Sequence, residues 1–118
     1  MTTIKVLFLA SEADPLVKVG GLGDVAGSLP PALARLSAEK TGGTTIDVRT
    51  VIPFHAAVRK KVPGAEFLFD FAVPAADGPL QAQAFRTEAN GVTIYLIAGE
   101  PFGPEAPVYS PDAAVGGQ

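Results

Sequence analysis

The 118-residue sequence contains no cysteine, which excludes disulfides, thiolate nucleophiles and cysteine-based metal sites in this chain. Its apolar runs do not reach the ~20 residues that a membrane-spanning helix requires. The nine basic residues are outnumbered by twelve acidic ones and are dispersed, apart from Arg59-Lys60-Lys61. Because nucleic-acid binding needs a basic stripe or face, we expect neither a nucleic-acid partner nor a membrane partner.

The composition is that of one small globular domain. Hydrophobic residues make up 47% of the chain, and the mean hydropathy is positive. A chain of this length buries roughly two thirds of its unfolded surface on folding, so one modest core is the most it can build. Residues 1–10 hold a single lysine within an apolar run, whereas a signal peptide has a basic start followed by a cleavable apolar stretch. We therefore interpret residues 1–10 as part of the fold and expect a cytoplasmic protein.

The first half of the chain predicts a strand, a helix and a second strand. Residues 4–10 are almost continuously apolar and β-prone, which is typical of a central strand covered on both faces. Residues 46–52 predict a second strand that ends at Pro53. A helix between them is indicated by apolar residues at three- and four-residue intervals: Leu22, Val25, Leu29, Leu33 and Leu36. This order is that of a right-handed βαβ unit in an α/β fold.

Two prolines interrupt the predicted helix. Pro30 and Pro31 each lack the backbone N–H group that a helix interior uses. We therefore expect either a kink near Ser28-Leu29 or two short helices, with Pro31 in the first turn of the second.

The second half predicts antiparallel strands. Residues 66–73 and 80–86 are strand-like, and Asn90-Gly91 between residues 84–88 and 92–97 is the strongest hairpin signal in the chain. The alternation of Phe67, Phe69 and Phe71 predicts one buried face of a strand.

The end of the chain differs in amino-acid composition from the rest. From residue 99 it is rich in proline, glycine and alanine, so we expect a loop-like or disordered tail at about 103–118. A βαβ start followed by one hairpin supplies too few helices to cover both faces of the sheet. We expect part of a longer domain, and we expect the isolated chain to self-associate.

The residues best suited to chemistry follow the first predicted strand, in the run Lys18-Val19-Gly20-Gly21-Leu22-Gly23-Asp24-Val25. An open α/β sheet places its ligand crevice at the carboxyl ends of its strands. Glycines let the backbone approach a ligand closely, and the free N–H groups at a helix start favour an anion. With the charge of Lys18 beside them, the pattern favours a bound diphosphate.

A dinucleotide-binding oxidoreductase is one alternative for these glycines. Gly21, Gly23 and Gly27 are spaced G-x-G-x-x-x-G, whereas the dinucleotide fingerprint is G-x-G-x-x-G. The fingerprint also follows its strand after a short turn, but here residues 11–20 intervene. The downstream acidic residue, Asp47, lies inside the second strand rather than at its end. These departures disfavour the oxidoreductase.

The same stretch resembles the N-terminus of bacterial glycogen synthases and plant starch synthases. The resemblance rests on KVLFLASE at residues 5–12, on Pro15 and on KVGGLGDVAGSLP at residues 18–30. Further matches follow in order along nearly the whole chain: Ala32-Leu33-Ala34, Val51-Ile52-Pro53, residues 92–97 and Val108-Tyr109-Ser110.

The resemblance implies the Rossmann-like N-terminal part of a GT-B glycosyltransferase that passes glucose from an ADP-glucose donor to an α-1,4-glucan acceptor. It implies that Lys18 contacts the donor phosphates and that the motif glycines shape the donor pocket. The substrate-binding residues that it implies are Lys18, Gly20, Gly21, Gly23, Asp24 and Glu12. The family's catalytic histidine, and the arginine, lysine and glutamate of its C-terminal domain, fall beyond residue 118. We therefore expect no catalytic residue in this chain, no cofactor or metal, and no turnover without the missing C-terminal domain.

Other interpretations stay open at this point. A non-catalytic sugar-nucleotide or glucan-binding module derived from such a domain is one, and a sucrose or trehalose-phosphate synthase relative without the Lys-x-Gly-Gly pattern is another. Asp24 has the alternative role of a first-turn carboxylate favoured by the helix dipole, and Glu12 that of a surface residue. His55, the single histidine, is interpreted as exposed or capping rather than as a base.

Overall fold

The computed structural model describes residues 2–36 and 40–99, so the tail predicted at about 103–118 lies outside the described residues. The described part forms one five-stranded sheet and two helices. The strands are β1 (Thr2–Leu9), β2 (Thr44–Pro53), β3 (Glu66–Val73), β4 (Leu80–Ala89) and β5 (Val92–Gly99). The helices are α1 (Gly21–Ala34) and α2 (Ala56–Lys61).

The sheet is mixed, with strand order β1-β2-β5-β4-β3. β1, β2 and β5 run parallel, and β4 and β3 follow as antiparallel neighbours. This arrangement confirms the predicted α/β fold with a parallel βαβ start and an antiparallel hairpin. It also brings the carboxyl ends of β1, β2 and β5 to one edge of the sheet, which is where an open α/β sheet binds its ligands.

The hairpin between β4 and β5 forms where the sequence predicts it. Ala89 pairs with Val92 across a two-residue turn, in which Asn90 has φ 53° and Gly91 has φ 79°. Positive φ at both turn residues is the requirement of a type I′ hairpin, and asparagine followed by glycine meets it at little steric cost.

β1 is not the central strand that its hydrophobicity predicts. It is an edge strand in the described sheet, paired on one side with β2. Ile4, Leu7 and Leu9 are 49%, 58% and 69% exposed. The prediction was wrong because an apolar run indicates that a strand favours burial but does not indicate its position in the sheet. The strand order depends on pairings between segments that are distant in the sequence.

α1 also differs from its predicted form. It runs through both prolines as one helix, so the prediction of two short helices was wrong. Pro30 and Pro31 are buried together with Gly23 and Ala26, and packing against the sheet offsets the missing backbone donors. The large apolar residues that indicated the helix lie mostly outward, with Leu22, Val25, Leu29 and Leu36 exposed. Small residues face the sheet because they let the helix approach it closely.

The phenylalanine alternation of β3 does not form one buried face. The strand contains a bulge between Phe67 and Phe69, which sends these two rings to opposite faces of the sheet. Phe67 packs edge-to-face against Phe85, with 5.5 Å between ring centroids, while Phe69 packs against Phe71 at 5.8 Å. Phe67 and Phe69 are each about half exposed, so the predicted burial was wrong.

The core lies on the face of the sheet that the two helices cover. It is built from strand residues, from the segment after β1 and from one residue of each helix, and its most buried members include Ala26, Ile52, Phe54, Val58, Ile94 and Leu96. This core is continuous with the carboxyl edge of the parallel strands, so it supports the segments that leave that edge.

The opposite face of the sheet carries no helix within residues 2–36 and 40–99. Near the carboxyl edge this face is apolar and forms an open groove of about 450 Å³, lined by Leu7, Val51, Leu68, Phe69, Phe71, Ala84, Tyr95 and Ile97. Farther along, the same face becomes polar, where Arg49 pairs with Asp47 and donates to the Tyr95 hydroxyl at 2.5 Å. Neither α1 nor α2 has the length and apolar character needed to cross a bilayer, among the residues described.

Gly27 provides a test of the close approach of α1. A Cβ placed on Gly27 meets the carbonyl oxygen of Asp14 and lies 3.0 Å from the Asp14 Cβ. Gly27→Ala should therefore lower the free energy of unfolding by about 1–3 kcal/mol, as measured by urea denaturation. Gly64, where an added Cβ meets nothing within 4 Å, supplies the control, since Gly64→Ala should change stability by less than about 0.5 kcal/mol. Equal stability of the two variants would contradict the close approach.

Candidate functional site

The segment between β1 and α1 is folded into a compact structure at the carboxyl edge of the sheet. Ala13 and Val17 exchange backbone hydrogen bonds at 3.0 Å in both directions, and the side chains of Ala13, Leu16 and Val17 are buried. The Asp14 amide donates to the Gly23 carbonyl at 3.0 Å, which ties the segment to the first turn of α1. Residues 11–20, which separate β1 from the glycines, therefore form a loop that is anchored by hydrogen bonds and contributes side chains to the core.

The carboxylate of Glu12 holds the glycine-rich turn from inside. One oxygen accepts the amide of Val19 at 3.0 Å, and the other accepts the amides of Gly20 at 3.0 Å and Gly23 at 2.6 Å. Glu12 is completely buried, so the alternative of a surface residue is wrong. The amides of Gly20 and Gly23, which the sequence suggested were free for an anion, are occupied by a carboxylate of the protein itself. Glu12 lies beneath the turn, where it fixes the backbone.

Two amides of the first turn are left for an external anion. In the described part of the chain, the N–H groups of Gly21 and Leu22 have no hydrogen-bond acceptor, and both residues are exposed. They lie at the start of a 14-residue helix, where the backbone carries partial positive charge. Among the described residues, the amides of this turn that lack an acceptor are therefore those of Gly21 and Leu22, and not those of Gly20 and Gly23.

Packing requires glycine at some positions of the motif but not at others. A Cβ on Gly23 lies 3.0 Å from both a Glu12 oxygen and the Lys18 Cγ, so internal packing requires glycine there. A Cβ on Gly21 meets nothing within 4 Å, and one on Gly20 meets a Glu12 oxygen only at 4.0 Å. Contacts among the described residues thus do not require glycine at positions 20 and 21.

Lys18 and Asp24 form an ion pair across the mouth of this turn. The Lys18 Nζ lies 3.0 Å from the Asp24 Oδ1, and the two side chains are 47% and 60% exposed. The hydrogen bond and the charge of Asp24 raise the pKa of Lys18, and the charges of Asp14 and Glu12 act in the same direction. The ammonium group is therefore directed toward the first turn of α1 rather than away from the protein.

His55 lies at this edge of the sheet, which its sequence context indicates only weakly. It follows β2, is completely buried, and its Nε2 lies 2.9 Å from the carbonyl oxygen of Ser11. The prediction that it is exposed was wrong, and although it occupies the N-cap position of α2, its side chain makes no capping hydrogen bond. The one available signal was its position just beyond a strand that ends at the ligand-binding edge.

An open, mainly apolar crevice of about 450 Å³ lies at the carboxyl edge of the sheet. It is lined by residues at the carboxyl ends of the three parallel strands: Leu9, Ala10, Ser11, Val51, Ile52, Pro53 and Ile97. Within the described residues, no group of three or more histidine or acidic side chains is placed to hold a metal ion. The site therefore combines an apolar crevice, one mobile cation and two outward amides.

Comparison with known proteins identifies the family. A family model described as the starch synthase catalytic domain matches residues 5–117. The chain belongs to the starch synthase catalytic domain family. This confirms the predicted resemblance, and the NAD oxidoreductase and the sucrose or trehalose-phosphate synthase relative are set aside.

Individual relatives agree with the family. The chain is 40% identical to a glycogen synthase of Exiguobacterium sibiricum over 98 residues, which are 82% of this chain and 19% of that protein. It is 48% identical to a glycogen synthase of Clostridium botulinum over 98 residues, with the same coverage of both proteins. The chain thus spans about a fifth of the length of the curated relatives it matches. It is a glycogen or starch synthase-like domain of the glycosyltransferase type.

A solved structure agrees with the fold. The catalytic domain of starch synthase IV from Arabidopsis thaliana, bound to ADP and acarbose, superposes with a TM-score of 0.71 at 20% sequence identity. The match covers 92% of this chain and 22% of that one. It confirms that the mixed sheet with its parallel start has the fold of part of a GT-B starch synthase catalytic domain.

The role of the Glu12 carboxylate in holding the turn can be tested by a nearly isosteric substitution. In Glu12→Gln, one carboxylate oxygen becomes an NH₂ group, which leaves at least one of the three amides facing a donor. Because an unsatisfied buried donor is costly, the free energy of unfolding should fall by about 1–3 kcal/mol in urea denaturation. Asp70, on the exposed surface of β3, gives the control variant Asp70→Asn, which should be neutral within about 0.5 kcal/mol. A neutral Glu12→Gln would show that the carboxylate does not hold the turn.

The Lys18–Asp24 pair can be tested by titration. Asp24→Asn should bring the pKa of Lys18 down toward its ordinary value of 10.5, followed by NMR of the Lys18 ε-methylene group. Because the folded-state pKa is raised, the pair stabilises the fold below pH 10.5, and this contribution is lost as the pH rises through the raised pKa. Asp70→Asn should leave the Lys18 titration unchanged. An unchanged titration in Asp24→Asn would contradict the ion pair.

Proposed function

We propose that this chain forms the donor-binding side of a glycogen or starch synthase, in which ADP-glucose passes its glucosyl group to the end of an α-1,4-glucan. The observation that carries the proposal is the outer surface of the β1–α1 turn. There the Lys18 ammonium lies 3.0 Å from Asp24 in the first turn of α1, and the amides of Gly21 and Leu22 have no acceptor among the described residues. A diphosphate has the charge and the acceptor oxygens that such a surface binds.

Each motif residue has a separate part in this proposal. Glu12 fixes the backbone of the turn, so that the two outward amides keep their direction without a ligand. Asp24 holds Lys18 close to the helix start and releases it when phosphate oxygens offer a stronger partner. Gly20 and Gly21 allow the diphosphate to reach the backbone.

The chemistry of glucosyl transfer is consistent with these groups. When the bond between glucose and the diphosphate breaks, negative charge grows on the departing phosphate. Donors that are already oriented toward that charge stabilise it more than water does, because they need no reorganisation during the reaction. Lys18, Gly21 and Leu22 would act in this way, whereas the groups that activate the acceptor belong to the remainder of the synthase.

The choice of ADP and of a glucan rests on the comparisons and on the motif. The starch synthase from Arabidopsis thaliana is described as bound to ADP and acarbose. We propose that this chain likewise binds a nucleoside diphosphate sugar as donor and a glucan as acceptor. The sugar would lie in the crevice at Ser11 and Ile97. We further propose that the chain binds ADP but does not turn over alone, since the catalytic groups implied by the family resemblance fall beyond residue 118.

A non-catalytic binding module is the second candidate function. It shares the donor site, so ADP binding does not separate the two. The complete polypeptide that contains this chain decides between them: glucosyl transfer from ADP-glucose to glycogen supports the synthase, whereas ADP binding without transfer supports the module.

Lys18 provides a direct test of the donor site. Lys18→Gln in the 118-residue chain should weaken ADP binding by about 10- to 100-fold in calorimetric titration, because a charge-assisted contact to phosphate is lost. In the complete synthase the same change should lower the transfer rate on the order of 10²- to 10³-fold. Lys60→Gln, at an exposed position of α2, is the matched control and should bind ADP normally. Normal ADP affinity in Lys18→Gln would remove Lys18 from the site.

Gly21 separates ligand approach from folding. Gly21→Ala places a methyl group in space where it meets no protein atom within 4 Å, and alanine is the better helix former. The free energy of unfolding should therefore stay equal or rise by up to about 1 kcal/mol, while ADP affinity falls. Calorimetry and urea denaturation on the same variant measure both quantities. Unchanged ADP affinity would mean that no diphosphate lies over Gly21.

A further inference from the structure

Among the described residues, the His55 side chain makes one hydrogen bond, and its partner lies at the start of the segment that leads from β1 to the glycine-rich turn. Its Nε2 lies 2.9 Å from the carbonyl oxygen of Ser11, the residue that precedes Glu12. Because a carbonyl oxygen only accepts, Nε2 must carry the proton. In the neutral ring Nδ1 is then an unprotonated acceptor, and in the described part of the chain it is buried without a donor.

The unpartnered Nδ1 indicates that His55 is not present for packing alone. An apolar ring of similar size would fill the same volume and leave no buried nitrogen unpaired. The side chain also makes no capping hydrogen bond to α2. The contact that distinguishes a histidine from an apolar residue at this position is therefore the bond to Ser11.

The backbone of His55 is fixed on both sides. The amide of Phe54 donates to the Ile97 carbonyl of β5 at 2.8 Å. The carbonyl of His55 accepts the amides of Val58 and Arg59 at 3.0 and 3.1 Å, which begins α2. The imidazole is thus attached to a rigid frame formed by two strands and a helix, so it can hold a neighbouring segment in place.

Ser11 and Glu12 connect this frame to the donor turn. Ser11 is held by His55, and the next residue, Glu12, binds the amides of Val19, Gly20 and Gly23. The direction of the Glu12 side chain depends on its backbone position, which the bond at Ser11 restrains. A displacement at Ser11 would therefore be transmitted to three amides of the turn.

We propose that His55 is a positioning residue of the donor site, which fixes the Ser11-Glu12 backbone from the end of β2 and thereby preorganises the turn that carries Lys18. The coupling from His55 to the turn stands on the structure alone. Its consequence for donor binding rests on the proposed function.

The proposal is tested with two variants of the 118-residue chain. His55→Phe keeps a ring of similar volume but removes the N–H donor. His55→Gln carries a side-chain NH₂ group at a reach similar to that of Nε2, so it can restore the bond to the Ser11 carbonyl. Hydrogen exchange of the Val19, Gly20 and Gly23 amides measures how well the turn is held. Exchange of the amides in the Asn90-Gly91 hairpin monitors the rest of the fold.

In His55→Phe the three turn amides should exchange about 3- to 10-fold faster, because their shared acceptor is less well held. The hairpin amides should be unaffected, and ADP should bind more weakly. His55→Gln should recover most of the protection and most of the ADP affinity. If His55 only stabilised the fold as a whole, the faster exchange would not be confined to the turn amides, and it would not be reversed by a side chain that again carries an N–H group.

Other outcomes overturn the proposal. Unchanged exchange of the three amides in His55→Phe, or equal losses in the phenylalanine and glutamine variants, would show that the bond to Ser11 does not position the turn. If His55→Phe does not fold, the protonation of the two ring nitrogens of His55 in the unchanged chain, measured from their ¹⁵N shifts, decides: an Nε2 without a proton contradicts the bond. Failure of the unchanged chain to bind ADP counts against the proposed function, whereas the exchange results still judge the coupling.

Discussion

The buried carboxylate of Glu12 is the interaction on which the site depends. A carboxylate away from water is stable only when hydrogen bonds replace its hydration, and here three backbone amides supply them. Those amides would otherwise attract any external anion to the base of the turn. Because the protein fills that position itself, the backbone of the turn is held from inside, and the exposed amides of Gly21 and Leu22 have no acceptor within the described residues.

This constraint divides the glycines of the motif into two groups. Gly23 and Gly27 permit close contact within the protein, since a side chain at either would meet Glu12, Lys18 or Asp14. Gly20 and Gly21 are not required by any such contact, and Gly21 borders empty space. One short motif thus contains residues that build the turn and residues that leave room beside it. The pair formed by Lys18 and Asp24 lies at the boundary, with the cation held near the helix start.

Within residues 2–36 and 40–99, helices cover one face of the sheet, and this explains several features that are unusual for an isolated domain. α1 is buried at Gly23, Ala26 and the two prolines, whereas Leu22 and Leu29 are exposed. The second face of the sheet has an apolar half at the carboxyl edge and a polar half where Arg49 meets Tyr95. Such apolar surfaces are typical of regions that other parts of a protein cover. This is consistent with a chain that spans about a fifth of its relatives.

The sequence alone determined the local features of this protein. Asn90-Gly91 specified the hairpin because its turn needs positive φ at two successive residues, and the apolar runs specified the first strands and the helix between them. The order of the motif after the first strand also indicated the family correctly. Only the tertiary structure decided that β1 lies at an edge, that the small face of α1 is the buried one, and that a bulge separates Phe67 from Phe69. It alone decided that Glu12 and His55 are buried beneath the turn. The physical reason is that turn geometry and periodicity act within a few neighbouring residues, whereas burial and hydrogen-bond partners depend on segments that meet only when the whole sheet has formed.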